Sequence, residues 1–164
     1  GTQDRLSFAK GLVQRILKFD YQKKNLVAII GTEGVKAKVF LRPTRNVFHI
    51  SKVLDSISAK GKTPLMHAMD AALKMAEAFA KKKRHLTSLM VVISDGRVNV
   101  PFKNSPSKDL CSLADRVKKL GLLSFIVDSN TRFAGSALLR KVANTFQGRY
   151  ILMTDIHHQE KILL

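Results

Sequence analysis

Three short runs constrain this chain more than anything else in it: Leu26-Val27-Ala28-Ile29-Ile30, Leu89-Met90-Val91-Val92-Ile93 and Leu122-Leu123-Ser124-Phe125-Ile126-Val127. Each is too short for an ordinary helix. Each is also almost unbroken in its apolar character, as a strand buried on both faces requires. The stretches between them carry apolar residues at helical spacing. Leu6, Ala9, Val13, Ile16 and Leu17 mark a helix over about residues 4–19. Val47, Ile50, Val53, Leu54 and Ile57 mark a second, capped by Asn46. A third opens at Pro64, which suits a first helical turn, and runs to Lys82. A fourth spans residues 109–120 and stops at Gly121; a fifth spans 135–146 and stops at Gly148. Gly31 to Gly34 reads as a turn. Val35, Ala37, Val39 and Leu41 then alternate with lysines as in an edge strand closed by Pro43. Residues 150–153 read as a last strand, with a further helix beginning near Asp155.

Alternating strands and helices with solid apolar strands imply an α/β fold: a doubly wound, mostly parallel sheet with helices on both faces. The chain has 164 residues, a length that suits one domain over 1–164. In such sheets ligands bind at the carboxyl ends of the strands. Two places there carry chemistry: the loop Ala59-Lys60-Gly61-Lys62-Thr63-Pro64, and Ser94-Asp95-Gly96.

The charge limits the partners. Lys and Arg number 29 against 12 Asp and Glu, a formal net charge of +17. Such a field attracts nucleic acid, acidic protein surfaces or nucleotide phosphates. It is equally the solvated surface of a lysine-rich chain, since the cations are spread along its whole length. No run interleaves aromatic with basic residues as a base-stacking surface does. No apolar run approaches the roughly 20 residues of a membrane span. No signal-peptide pattern is present at residues 1–10. Cys111 is the only cysteine, so no internal disulfide forms and a reducing, cytoplasmic setting is expected. Its position predicts a buried thiol on an apolar helix face.

Most site chemistries find no support. There is no G-x-x-x-x-G-K-[ST], and no G-x-G-x-x-G follows a strand, which argues against independent nucleotide binding. Ala134-Gly135-Ser136-Ala137 lacks the framing glycines of a hydrolase nucleophile turn. His157 and His158 are adjacent but lack a third ligand, and His67 and His85 stand alone. An enzyme with its own active site is therefore the least supported class, with no catalytic residue to name. What remains is an oxygen site for a hard cation, with a hydroxyl from Thr63 and a carboxylate from Asp95. Mg²⁺ takes such donors and keeps several waters. The plainer alternative is that Thr63 caps a helix and Asp95 makes an Asx turn with Gly96.

The stretch Lys62-Thr63-Pro64-Leu65-Met66-His67-Ala68, followed by Val91-Val92-Ile93-Ser94-Asp95-Gly96-Arg97-Val98-Asn99-Val100-Pro101, resembles the von Willebrand factor A (integrin I-like) domain of magnesium chelatase D subunits. The likeness extends to Ala9-Lys10-Gly11, Leu41-Arg42-Pro43-Thr44-Arg45, residues 123–128 and Gly148-Arg149-Tyr150. It is less sharply separated from cobalt chelatase relatives.

The resemblance implies a Rossmann-like sheet with a metal-ion-dependent adhesion site at its top, holding Mg²⁺ or Mn²⁺. Thr63 and Asp95 match the ligands of its second and third loops. The first loop, aspartate-x-serine-x-serine, is absent, and Asp4 and Ser7 do not match it. The hydrophobic strand before it is absent too. The chain then reads either as an N-terminally truncated domain or as a member that has lost the site. Gly31-Thr32 also departs from the family's proline-aromatic pair. The implied role is a protein-interaction module that supports ATP-driven metal insertion into a tetrapyrrole. Its partners would be an AAA+ ATPase subunit and a tetrapyrrole-binding subunit, in the cytoplasm or a plastid stroma. The alternative is a basic nucleic-acid-binding or other interaction domain on the same scaffold with a degenerate metal site.

Overall fold

A computed structural model describes residues 7, 8, 10–12, 14, 15, 25–57, 64–97, 101–130 and 135–156. The elements follow in the order β1 (Val27–Glu33), β2 (Lys36–Thr44), α1 (Val47–Ser56), α2 (Leu65–Lys82), β3 (Leu89–Ser94), α3 (Pro106–Leu120), β4 (Leu123–Asp128), α4 (Ala137–Phe146) and β5 (Arg149–Leu152). The described residues between 7 and 15 are helical, and 153–156 form a helical turn. No helix among the described residues is long and apolar enough to cross a membrane.

This is an α/β fold in which β3, β4 and β5 form a parallel sheet with β4 in the middle. β1 and β2 form a separate antiparallel hairpin. No backbone ladder joins the two sheets among the described residues, and α2 packs against both. One face of the parallel sheet is covered. Met90, Val92 and Ile126 meet Met69 and Leu73 of α2, Leu113 of α3 and Leu139 and Phe146 of α4. A smaller core of Leu41, Ile50 and Leu54 joins the hairpin to α1. On the other face Val91, Ile93 and Phe125 are half-buried, and Leu89 and Leu123 are exposed. Where a central, doubly buried strand over 89–93 was expected, β3 has a partner on one edge only among the described residues.

The hairpin also differs from its sequence reading. β1 runs on through Gly31, and the turn lies at Gly34-Val35, where Gly34 takes φ +62°. Gly31 instead makes room for a ring: a Cβ there would stand 2.7 Å from Phe40 Cε2. Ile29 pairs with Leu41 but Ile30 pairs with Val39, so Phe40 is an extra residue in the ladder. Such a bulge switches faces along a strand. Leu41 is therefore buried while Val39 is exposed, and the expected single face of Val35, Ala37, Val39 and Leu41 breaks.

Helix ends follow local chemistry. Asn46 Oδ1 accepts from His49 N–H at 3.1 Å, as expected of a cap. α3 starts three residues earlier than its sequence reading, because Ser105 Oγ accepts from Lys108 N–H and Pro106 fits the first turn. α4 is closed by Gln147, which lies in the left-handed region at φ 53°, one residue before the Gly148 expected to stop it. Gly148 is needed instead for close packing against the Ser124 backbone. Cys111 is exposed, not buried, because α3 turns Asp109, Leu110, Leu113 and Val117 inward. α2 and α3 are clamped by Arg116. Its Nη1 donates to Asp70 at 2.6 Å, and its Nε and Nη2 donate to Glu77 at 2.6 and 3.2 Å. Lys74 pairs with the other Asp70 oxygen at 2.9 Å.

Candidate functional site at the carboxyl ends of the parallel strands

β3 and β4 end side by side, with Ser94 opposite Asp128 in register. Asp95 follows directly, and its side chain is 19% exposed. Its Oδ1 accepts from Arg97 N–H at 3.0 Å, and Arg97 Nε lies 3.8 Å from Oδ2. The Asx turn expected of Asp95 therefore exists, closed by the amide of Arg97 and not that of Gly96. Gly96 N–H donates to Ser94 Oγ at 3.1 Å. Gly96 has φ +73°, and a Cβ on it would collide with the Ser136 side chain. The loop that carries Asp95 is thus pressed onto the N-cap of α4.

That N-cap belongs to a buried network. Asp128 is fully buried. Its Oδ1 accepts from Asn130 N–H at 2.8 Å, and its Oδ2 accepts from Ser136 N–H at 2.6 Å and Tyr150 O–H at 2.5 Å. Burial first, and then the hydrogen bond to the Asp128 carboxylate, push the Tyr150 phenol up to about 12. Arg140 lies over the Tyr150 ring, 4.6 Å from its centroid. Gly135, with φ +64°, leaves space for the Tyr150 hydroxyl. Ser136 Oγ accepts from Leu139 N–H at 3.3 Å and so caps α4. Ser129 N–H donates to Ser94 O at 2.8 Å, while its own Oγ is buried without a hydrogen bond.

Thr63 lies outside the described residues, as do His157 and His158. Pro64, next to Thr63, is buried and immediately precedes α2. His67 sits in the first turn of α2, its ring edge-on to Phe102 at 4.8 Å, with Nδ1 buried and unbonded. Among the described residues no three His, Cys, Asp or Glu side chains converge as a metal site. Asp95 supplies one hard oxygen donor and does not enclose a cation by itself. Asp128 is committed to its three donors and serves to position the loops. Sequence reasoning weighed Ser136 only as a hydrolase nucleophile and set it aside, and it assigned no role to Asp128 or Tyr150. The usable signal was an aspartate directly after an apolar strand, the same mark that drew attention to Asp95.

The family model for the von Willebrand factor type A domain matches residues 1–97. The chain is 27% identical to an uncharacterized protein of Methanocaldococcus jannaschii, over 99% of this chain and 94% of that protein. It is 28% identical to the magnesium-chelatase 67 kDa subunit of Chlorobaculum parvum, over 93% of this chain but only 26% of the subunit. The chain thus spans about a quarter of that chelatase subunit. In fold it is similar to the SpRpn10 VWA domain, with a TM-score of 0.67 and 13% identity over 90% of this chain and 75% of that one. Strand order, helix placement and family match agree: the chain belongs to the von Willebrand factor type A domain family.

Proposed function

We propose that this domain is a metal-dependent protein-interaction module of a chelatase-type assembly. The observation that carries the reading is the placement of Asp95. Its carboxylate stands at the carboxyl end of a parallel strand, held by the Arg97 amide and by the close approach of Gly96 to Ser136. The similarity to a magnesium-chelatase subunit along nearly the whole chain supports the setting. In this reading Asp95 and Thr63 are two of the ligands for Mg²⁺, or Mn²⁺ in its place. A cation held there supplies an open position for a carboxylate of a partner protein. Further ligands would come from a loop of the aspartate-x-serine-x-serine kind. The edges of β1 and β3 that have no partner among the described residues are where a strand leading into such a loop would pair. The partners would be an AAA+ ATPase subunit and a tetrapyrrole-binding subunit, and the whole assembly, not this domain, would perform metal insertion. The strong positive charge would speed encounter with acidic partner surfaces.

The test is partner capture with and without Mg²⁺, using Asp95→Ala and Thr63→Ala in the full-length subunit. We expect each substitution to weaken binding at least tenfold, to match the loss caused by EDTA, and to leave the unfolding midpoint unchanged. Parental affinity in both variants would refute the metal bridge. A second reading, nucleic-acid binding, rests on the +17 charge. It predicts binding that survives EDTA and falls steeply with salt.

A further inference from the structure

The opposite end of the parallel sheet is chemically distinct. The connections from α2 to β3, from α3 to β4 and from α4 to β5 all lie there, because each helix returns the chain to the start of the next parallel strand. These connections and the helix ends beside them expose Lys82, Lys83, Arg84, Lys118, Lys119 and Arg149. Residues 78–89, 117–123 and 146–149 contain no Asp or Glu. Glu77, the acidic residue nearest to this cluster on α2, is taken by Arg116. Asp115, a turn back on α3, is the nearest in sequence to Lys118 and Lys119.

Lysines in the last turn of a helix also complement its dipole, which accounts for Lys82, Lys118 and Lys119. It does not account for Arg84 and Arg149, nor for the apolar residues among them. Leu86, Leu89 and Leu123 are 41%, 52% and 60% exposed at this same end. Leu89 and Leu123 are neighbours, and Leu86 lies three residues before Leu89 in the same connection. Leu89 and Leu123 are ladder partners, Leu123 N–H donates to Ser88 O, and Leu86 N–H donates to Lys83 O. A phosphate backbone has no use for exposed leucines, and none of the exposed residues of these segments is a Phe, Tyr or Trp on which bases would stack, Phe79 being half-buried and Phe146 buried. Carboxylates and aliphatic side chains together match both halves of the patch.

We infer that this end docks an acidic segment of a partner protein in which carboxylates flank aliphatic residues. The contact is independent of any cation at Asp95, which lies at the other end of the same strands. The probe is a short fluorescein-labelled synthetic peptide alternating glutamates with leucines. It is compared with polyglutamate of equal charge and with duplex DNA, using the full chain at physiological ionic strength and in EDTA. We expect the peptide to bind about tenfold more tightly than polyglutamate. Leu89→Ser with Leu123→Ser should remove that preference. Arg84→Glu with Lys119→Glu should abolish binding, and Lys36→Glu with Lys38→Glu on the hairpin should leave it unchanged. Circular dichroism checks that each variant is folded, and the Arg84 and Lys119 changes keep the test valid if the leucine variant is not. Equal binding of polyglutamate, equal loss in the hairpin variant, or tighter DNA binding that ignores the leucines would each overturn the inference, the last in favour of nucleic acid.

Discussion

Asp95 and Asp128 close neighbouring strands, yet their surroundings give them different work. Asp128 is fully buried and accepts from two backbone amides and the Tyr150 hydroxyl. A buried carboxylate is tolerable only when its oxygens are bonded in this way. Asp95 keeps part of its carboxylate accessible. The Tyr150 contact has a pH signature. The phenol is raised to about 12 in the fold, mainly by burial and then by its bond to Asp128. The unfolded chain therefore releases this proton near pH 10, before the folded one does. Stability is complete below about pH 10 and falls as pH rises toward 12. Denaturant midpoints measured from pH 9 upward should show that decline in the parent. In Tyr150→Phe the decline should be shallower, from a lower starting point, because Asp128 has lost a donor. An identical alkaline slope in both proteins would exclude this role for Tyr150.

At the scale of elements, Arg116 ties α2 to α3 across 46 residues of sequence. Burial opposes the charge on Asp70, but its bonds to Lys74 and Arg116 outweigh that and hold its carboxyl below the usual range. Glu77 is held low chiefly by its bond to Arg116. Both groups carry lowered values in the fold. Their contribution is present above the unfolded carboxylate range, near pH 4, and is lost as pH falls below it. Arg116→Met should cost about 2 kcal/mol at neutral pH. Arg116→Lys should recover only part, since an ammonium lacks the fork that spans two carboxylates. Thermal melts at pH 7 and pH 3 check this: the deficit of the Met variant should shrink in acid. Elements of this kind were legible where a local signal sufficed. Asn46, Pro64 and Gly121 marked helix ends because capping depends on nearest neighbours. The bulge at Phe40, the left-handed Gln147 and the outward Cys111 were not legible. Each is fixed by what packs across from it, and periodicity carries no trace of that. The site was half legible for the same reason. Asp95 ends an apolar run, whereas the bond from Tyr150 to Asp128 spans 22 residues.

In the whole molecule the hairpin and the parallel sheet share no ladder among the described residues, and α2 packs against both. Among these residues β4 is paired on both edges and β1 on one. Native-state hydrogen exchange should therefore sort the amides into two groups, with β4 opening only on global unfolding and β1 and β2 at lower free energy. A single opening energy for both sheets would contradict this separation.

The same arrangement bears on how the domain carries load. A protein pulled across a continuous sheet resists because many interstrand bonds must break together. Here no ladder joins the hairpin to the parallel sheet among the described residues, so under a pull between Val27 and Leu152 in an optical trap the hairpin should peel away first and at low force.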